Sequence, residues 1–153
     1  MVIAMTSYTA KEALEALTPI LTDSRYFHQS DDFRISQSLR PQIEQAIMES
    51  DATLAPAPIE RIRQIVARLI LHFSNLETDQ EQNICTDYIA MLQEYPEDLL
   101  CAAHQNVLRH HKGNSLPRIA DFLTFMEPEM SRRKAVRCKL DILQQQTCQE
   151  ENA

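Results

Sequence analysis

The residue types best suited to chemistry gather between positions 101 and 111, where Cys101 and His104 stand one helical turn apart and His110 and His111 follow. A thiolate and imidazoles are the usual ligands of zinc. On one helix, however, His104 and His111 are separated by about 10 Å of axis, too far to share an ion at bonds of about 2 Å. Only His104 can join Cys101. Two more ligands would have to come from elsewhere, Cys85 or Cys138 among them, and no paired-ligand spacing supports that. The residues therefore read as partly buried polar side chains beside Leu100 and Val107, with no metal and no cofactor. Catalysis has no better footing, because the chain has no glycine-rich phosphate loop, no nucleophile elbow and no His-Glu-x-x-His sequence. A non-enzymatic protein is expected.

Charge offers two candidate surfaces. The net charge is −7, yet between His104 and Lys139 eight basic residues (Arg109, Lys112, Arg118, Arg132, Arg133, Lys134, Arg137 and Lys139) face only Asp121, Glu127 and Glu129. These eight are candidates for phosphate contact. On a helical wheel Arg132 and Lys139 flank one border of a Val136/Leu140/Leu143 stripe, and Arg133 and Arg137 flank the other, so snorkelling side chains of an ordinary amphipathic helix explain them as well. No stacking aromatic accompanies them, which favours backbone contact over base recognition. The opposite run, Glu77, Asp79, Glu81, Asp87, Glu94, Glu97 and Asp98, contains no Lys or Arg between its members. It reads either as a solubilising face or as a surface that docks a basic partner or imitates nucleic acid.

The elements that must position these residues are helices. A single glycine, Gly113, in 153 residues leaves little for tight hairpins, which need positive φ, and predicts an all-α fold: a compact bundle of about four to six helices with an N-terminal helical arm. Thr9 and Glu12 have capping-box spacing and start a helix that ends or kinks near Pro19. Residues 22–40 read as mostly loop, and residues 41–49 as a short helix. Ile59, Ile62, Ile65, Val66, Leu69, Ile70 and Phe73 form one stripe, with Arg61, Arg68 and His72 on the other side. Thr78 and Glu81 form a second capping-box pattern, followed by a stripe of Ile84, Tyr88, Met91, Leu92 and Tyr95. Pro96 ends that helix and opens the next, which runs to a left-handed cap at Gly113. A short helix follows Pro117, Pro128 breaks it, and a last helix covers residues 129–146. The predicted organisation is an arm over 1–50, a Pro-containing linker over 51–58, a helical domain over 59–146 and a frayed tail over 147–153.

The longest apolar runs are five residues, far below the roughly 20 that span a bilayer, and the N-terminus has no basic, long-apolar leader pattern. A cytoplasmic location away from membranes is expected, and the four scattered cysteines then read as unpaired.

The succession Tyr88, Leu92, Tyr95-Pro96, Leu99-Leu100, Ala103, then Leu116-Pro117-Arg118-Ile119-Ala120-Asp121-Phe122, Glu127-Pro128 and Arg132-Arg133 resembles small helical proteins of phage and prophage replication regions, helicase-loader-like proteins among them. The likeness covers residues 59–140 and rests on helix lengths and proline breaks. It implies an adaptor that contacts a replicative helicase or its DNA, without nominating residues. The leading expectation is thus a non-enzymatic adaptor on a nucleic-acid-processing protein. The alternative is an inhibitor whose acidic helix faces occupy a basic nucleic-acid site on a host defence complex. The helix stripes can be satisfied within one chain or across a homodimer.

Overall fold

Local sequence starts and stops most of the helices where the spacing predicts. The computed structural model describes residues 9–23, 27, 36–73 and 77–149, which form six α-helices, one 3-10 turn (Gln37–Leu39) and no strand. Helix α1 (Ala10–Thr22) opens on the expected capping box: the Glu12 N–H donates to Thr9 Oγ1 at 3.3 Å and the Thr9 N–H to Glu12 Oε2 at 2.8 Å. It continues through Pro19, whose ring lies on the exposed side while Ala13, Leu17 and Leu21 are buried. Helix α2 (Arg40–Leu54) is longer than predicted and takes in half of the expected linker, leaving residues 55–58 as the break. Most of the loop expected over 22–40 and the last part of the tail, 150–153, fall outside the described residues.

Helix α3 (Ile59–Phe73) buries Ile62, Ile65, Val66 and Leu69 of its predicted stripe, but Ile59, at the first helical position, is 47% exposed because the stripe's end extends past the core. Helix α4 (Thr78–Leu92) starts one residue earlier in its capping than Thr78 and Glu81 suggested: Glu77 is the cap, and its N–H donates to Gln80 Oε1 at 3.3 Å. Pro96 is the N-cap of α5 (Glu97–His110). That helix does not end on glycine. His111 closes it in an extended conformation, its N–H bonded to the Val107 carbonyl at 2.8 Å, and Gly113 takes its φ of 106° two residues later in the bend.

The largest correction concerns the last third. Pro128 does not break the chain, and Ile119–Gln149 is one helix, α6. A proline inside a helix forfeits one backbone hydrogen bond and crowds the preceding turn, at about 3 kcal/mol. Here it sits on the exposed side, with Met126 and Met130 buried on either side of it. Thr147, assigned by sequence to the frayed tail, is fully buried in α6.

By its contacts the chain forms two units, Leu54–Ser131 and a discontinuous one that groups Met1–Thr53 with Arg132–Ala153. The boundaries differ from the predicted arm, linker and domain. In the continuous unit, Ile62, Leu69, Tyr88, Leu92, Leu100, Phe122 and Met126 are central to one core. Tyr88 donates to the Pro117 carbonyl at 2.5 Å and meets Phe122 edge-on at 5.7 Å, which fixes the start of α6 on α4. In the discontinuous unit, Ala13, Leu17, Leu21, Ile43, Ala46, Leu140 and Leu143 form a second core. The predicted arm therefore packs on the C-terminal stripe of α6, because the apolar sides of α1 and α2 need a third helix to cover them.

Candidate functional site

The seven acidic candidates all fall in the continuous unit: Glu77 at the cap of α4, Asp79, Glu81 and Asp87 on α4, Glu94 in the turn after it, and Glu97 and Asp98 at the start of α5. Five of them have a local reason to be acidic. Glu77 is the α4 cap, Asp79 and Glu81 lie in its first turn, and Glu97 and Asp98 lie in the first turn of α5, where carboxylates complement the positive end of the helix dipole. Glu97 also accepts from Arg61 Nε at 2.7 Å, a pairing that holds the Arg61 pKa above its ordinary value.

Asp87 and Glu94 have no such helix-end role. Both are exposed, and between them stands Met91, four residues after Asp87 on α4 and 52% exposed. Residues four apart share a helix face, so an apolar side chain is presented beside the Asp87 carboxylate, with exposed Glu94 in the turn that follows the helix. Met91 was predicted to lie in the buried stripe. The structure buries Tyr88, Leu92 and Tyr95 there, and Ile89 takes up the flank in its stead. Adjacency to Leu92 gave no warning, since the neighbouring pairs Ile65/Val66 and Leu99/Leu100 are both buried in the same core; only the packing of α4 separates Met91 from Leu92.

The eight basic candidates are divided by the fold. Arg109, Lys112 and Arg118 belong to the continuous unit, and the other five to the discontinuous one, so they do not make up a single segment-wide patch within either unit. Three of those five have structural duties. Arg133 donates to the Thr53 carbonyl at 2.8 Å. Arg137 bonds Asp51 at 2.7 Å and also Asp141, and these carboxylates, Asp51 foremost, raise its pKa. Lys139 donates to the Leu21 carbonyl at 2.8 Å, its ammonium 5.3 Å from the centre of the Phe27 ring. Charge that neutralises the chain's own carbonyls and carboxylates is poorly placed for phosphate. Arg109, Lys112, Arg118 and Lys134 have exposed side chains.

Around the histidines, Cys101 is a half-buried free thiol and His104 is buried on the inner side of α5. Burial, with Arg68 and His72 nearby, lowers the His104 pKa, and its Nε2 has no hydrogen-bond partner. Among the described residues no three His, Cys, Asp or Glu side chains converge as a metal site would require, and no helix is long and apolar enough to cross a membrane. Two buried tyrosines brace this unit: Tyr88 at Pro117, and Tyr95 through a hydrogen bond to Glu127. Both hydroxyls have pKa values pushed up to about 12, chiefly by burial, with Asp121 and Glu127 respectively adding negative charge nearby.

Compared with known proteins, the chain matches no family model, no curated protein and no solved structure.

Proposed function

We propose that the chain is a non-enzymatic adaptor that docks on a basic surface of a nucleic-acid-processing protein through the exposed side of α4. The observation that carries this reading is the grouping of Asp87, Met91 and Glu94: an exposed apolar side chain between two carboxylates that no helix end requires. An apolar anchor with a charged surround is how protein interfaces concentrate affinity, the anchor giving the energy and the charges the orientation and on-rate. The helicase-like partner class comes from the resemblance over residues 59–140. A replicative helicase, with its positively charged nucleic-acid path, is a partner of matching charge. Direct DNA contact through α6 loses support, since Arg133, Arg137 and Lys139 are engaged within the chain.

The test is affinity purification of the tagged chain from its native host in the presence of nuclease, followed by mass spectrometry, beside a triple variant Asp87→Lys, Met91→Ala, Glu94→Lys. A protein partner retained by the parent chain and lost from the variant is expected. Retention of the same partners by a folded variant would overturn the reading. An inhibitor of a nucleic-acid-binding defence complex uses the same acidic side, and is separated by adding DNA to the purified pair: an inhibitor is displaced by DNA, whereas an adaptor stays bound.

A further inference from the structure

The end of α5 and the start of α6 enclose a cleft of about 430 Å³ within the continuous unit, a size typical of small-ligand sites. Its chemistry differs from that of the acidic side of α4, because the lining sets Lys112, His110 and His111 against the single carboxylate of Asp121. Residues 104–118 include Arg109, Lys112 and Arg118 and three histidines, with no Asp or Glu among them. Buried Val107 contributes an apolar lining. His111, also lining it, is held on two sides: its Nε2 meets the Ser115 carbonyl at 2.7 Å, and its ring stands perpendicular to Phe73 with centres 5.2 Å apart. A carbonyl can only accept, so Nε2 is the donor in this bond. This lining is therefore fixed before any ligand arrives.

Four further lining residues define the ligand. Phe125 is 40% exposed, an unusual state for a phenyl ring and one that suits stacking against a flat aromatic. Lys112 brings a cationic N–H donor suited to phosphate, and the His110 ring brings a second N–H donor. Asn106 offers an amide donor and acceptor of the kind that pairs with a base edge. The one carboxylate in the lining, Asp121, already accepts the Arg118 N–H at 3.1 Å through Oδ2, so it is partly engaged at the helix start.

We propose that this cleft binds a nucleotide, its base stacked on Phe125 and its phosphate held by Lys112 and His110. The nucleotide unit could arrive free or within a single strand, and the two sources share the same chemistry. The inference does not depend on the partner reading, because Asp87, Met91 and Glu94 do not line the cleft.

The sequence supplies its own reporter. With one glycine in the chain, 15N-glycine labelling of the full-length protein isolates the Gly113 amide, next to Lys112, for titration by NMR. The probes are AMP, inorganic phosphate and pentathymidylate. Saturable shifts are expected with AMP or with pentathymidylate, at least about fivefold tighter than with phosphate, the gain that stacking of one base supplies. Saturation by AMP assigns the free nucleotide as sufficient, and saturation by the oligomer alone assigns the strand. Phe125→Ala should weaken binding about fivefold or more, and Lys112→Ala should weaken it and flatten its salt dependence. Phe125→Leu, which keeps apolar volume and removes the aromatic face, serves if the alanine variant does not fold. The proposal is overturned if no probe saturates, if phosphate binds as tightly as AMP and the oligomer, or if the Phe125 variants bind like the parent.

Discussion

His104 shows how a single residue can look functional in sequence and act structurally in the fold. One turn from Cys101 it suggested a ligand, but it is buried with Leu100, Ala103 and Val107 on the inner side of α5. Its folded pKa lies below the ordinary 6.5, first because of burial and then because of Arg68 and His72. As pH falls through that ordinary value the unfolded chain takes up a proton that the folded chain resists, so stability must fall. Urea unfolding at about pH 8 and about pH 5.5 should therefore show a larger loss for the parent than for His104→Gln, which has no proton to take up in this range. Equal losses would show that His104 is not the titrating group. The same lesson applies to Arg133, Arg137 and Lys139, whose charge was legible in the sequence. Their partners were not, because Thr53, Asp51 and Leu21 come from far along the chain.

At the scale of elements, local rules held at some helix ends and failed at others. Thr9 and Glu12 cap α1 as their spacing required, Pro96 stands at the mouth of α5, and the α3 stripe was legible from Ile62 to Leu69, whereas Glu77 rather than Thr78 caps α4 and His111 rather than Gly113 closes α5. The rules failed at Pro19 and Pro128, where a local penalty was outweighed by burial on the opposite side of the helix. Pro128→Ala restores an N–H that can bond the Thr124 carbonyl and removes the ring from the preceding turn. It should stabilise the protein by about 1 kcal/mol or more, read as a raised urea midpoint with an unchanged slope. A destabilised variant would mean that the packing of Met126 and Met130 depends on the proline.

At the scale of the whole molecule, the two units differ in how the chain builds them. Leu54–Ser131 is continuous and owns a full core, whereas the other unit needs Leu140 and Leu143 from the far end of the chain to cover α1 and α2. A fragment of residues 54–131 is expected to unfold cooperatively on heating, followed by circular dichroism, while a fragment of residues 1–53 should lack a cooperative transition. Cooperative folding of the 1–53 fragment alone would contradict the assignment of its core. The charge divides along the same line: the continuous unit carries eleven acidic and six basic residues, the other eleven and nine. Most of the net negative charge thus belongs to the unit that bears the acidic side of α4.

What the sequence determined by itself was what depends on neighbours within a few residues: the helical class, the caps at Thr9 and Pro96, the stripe of α3 and the acidity of the α4 region. Helix periodicity and capping are short-range effects, so they are written locally. The stripe of α6 even shows where its role changes, since residues 131–135 between buried Met130 and Leu140 include none that is buried. Only the tertiary structure decided that this stripe is one helix serving two cores, that the N-terminal helices pack on its far end, and which charges face solvent. Those outcomes depend on which apolar faces meet across more than a hundred residues, and long-range burial overrides the local cost of a proline or the local appearance of a basic patch.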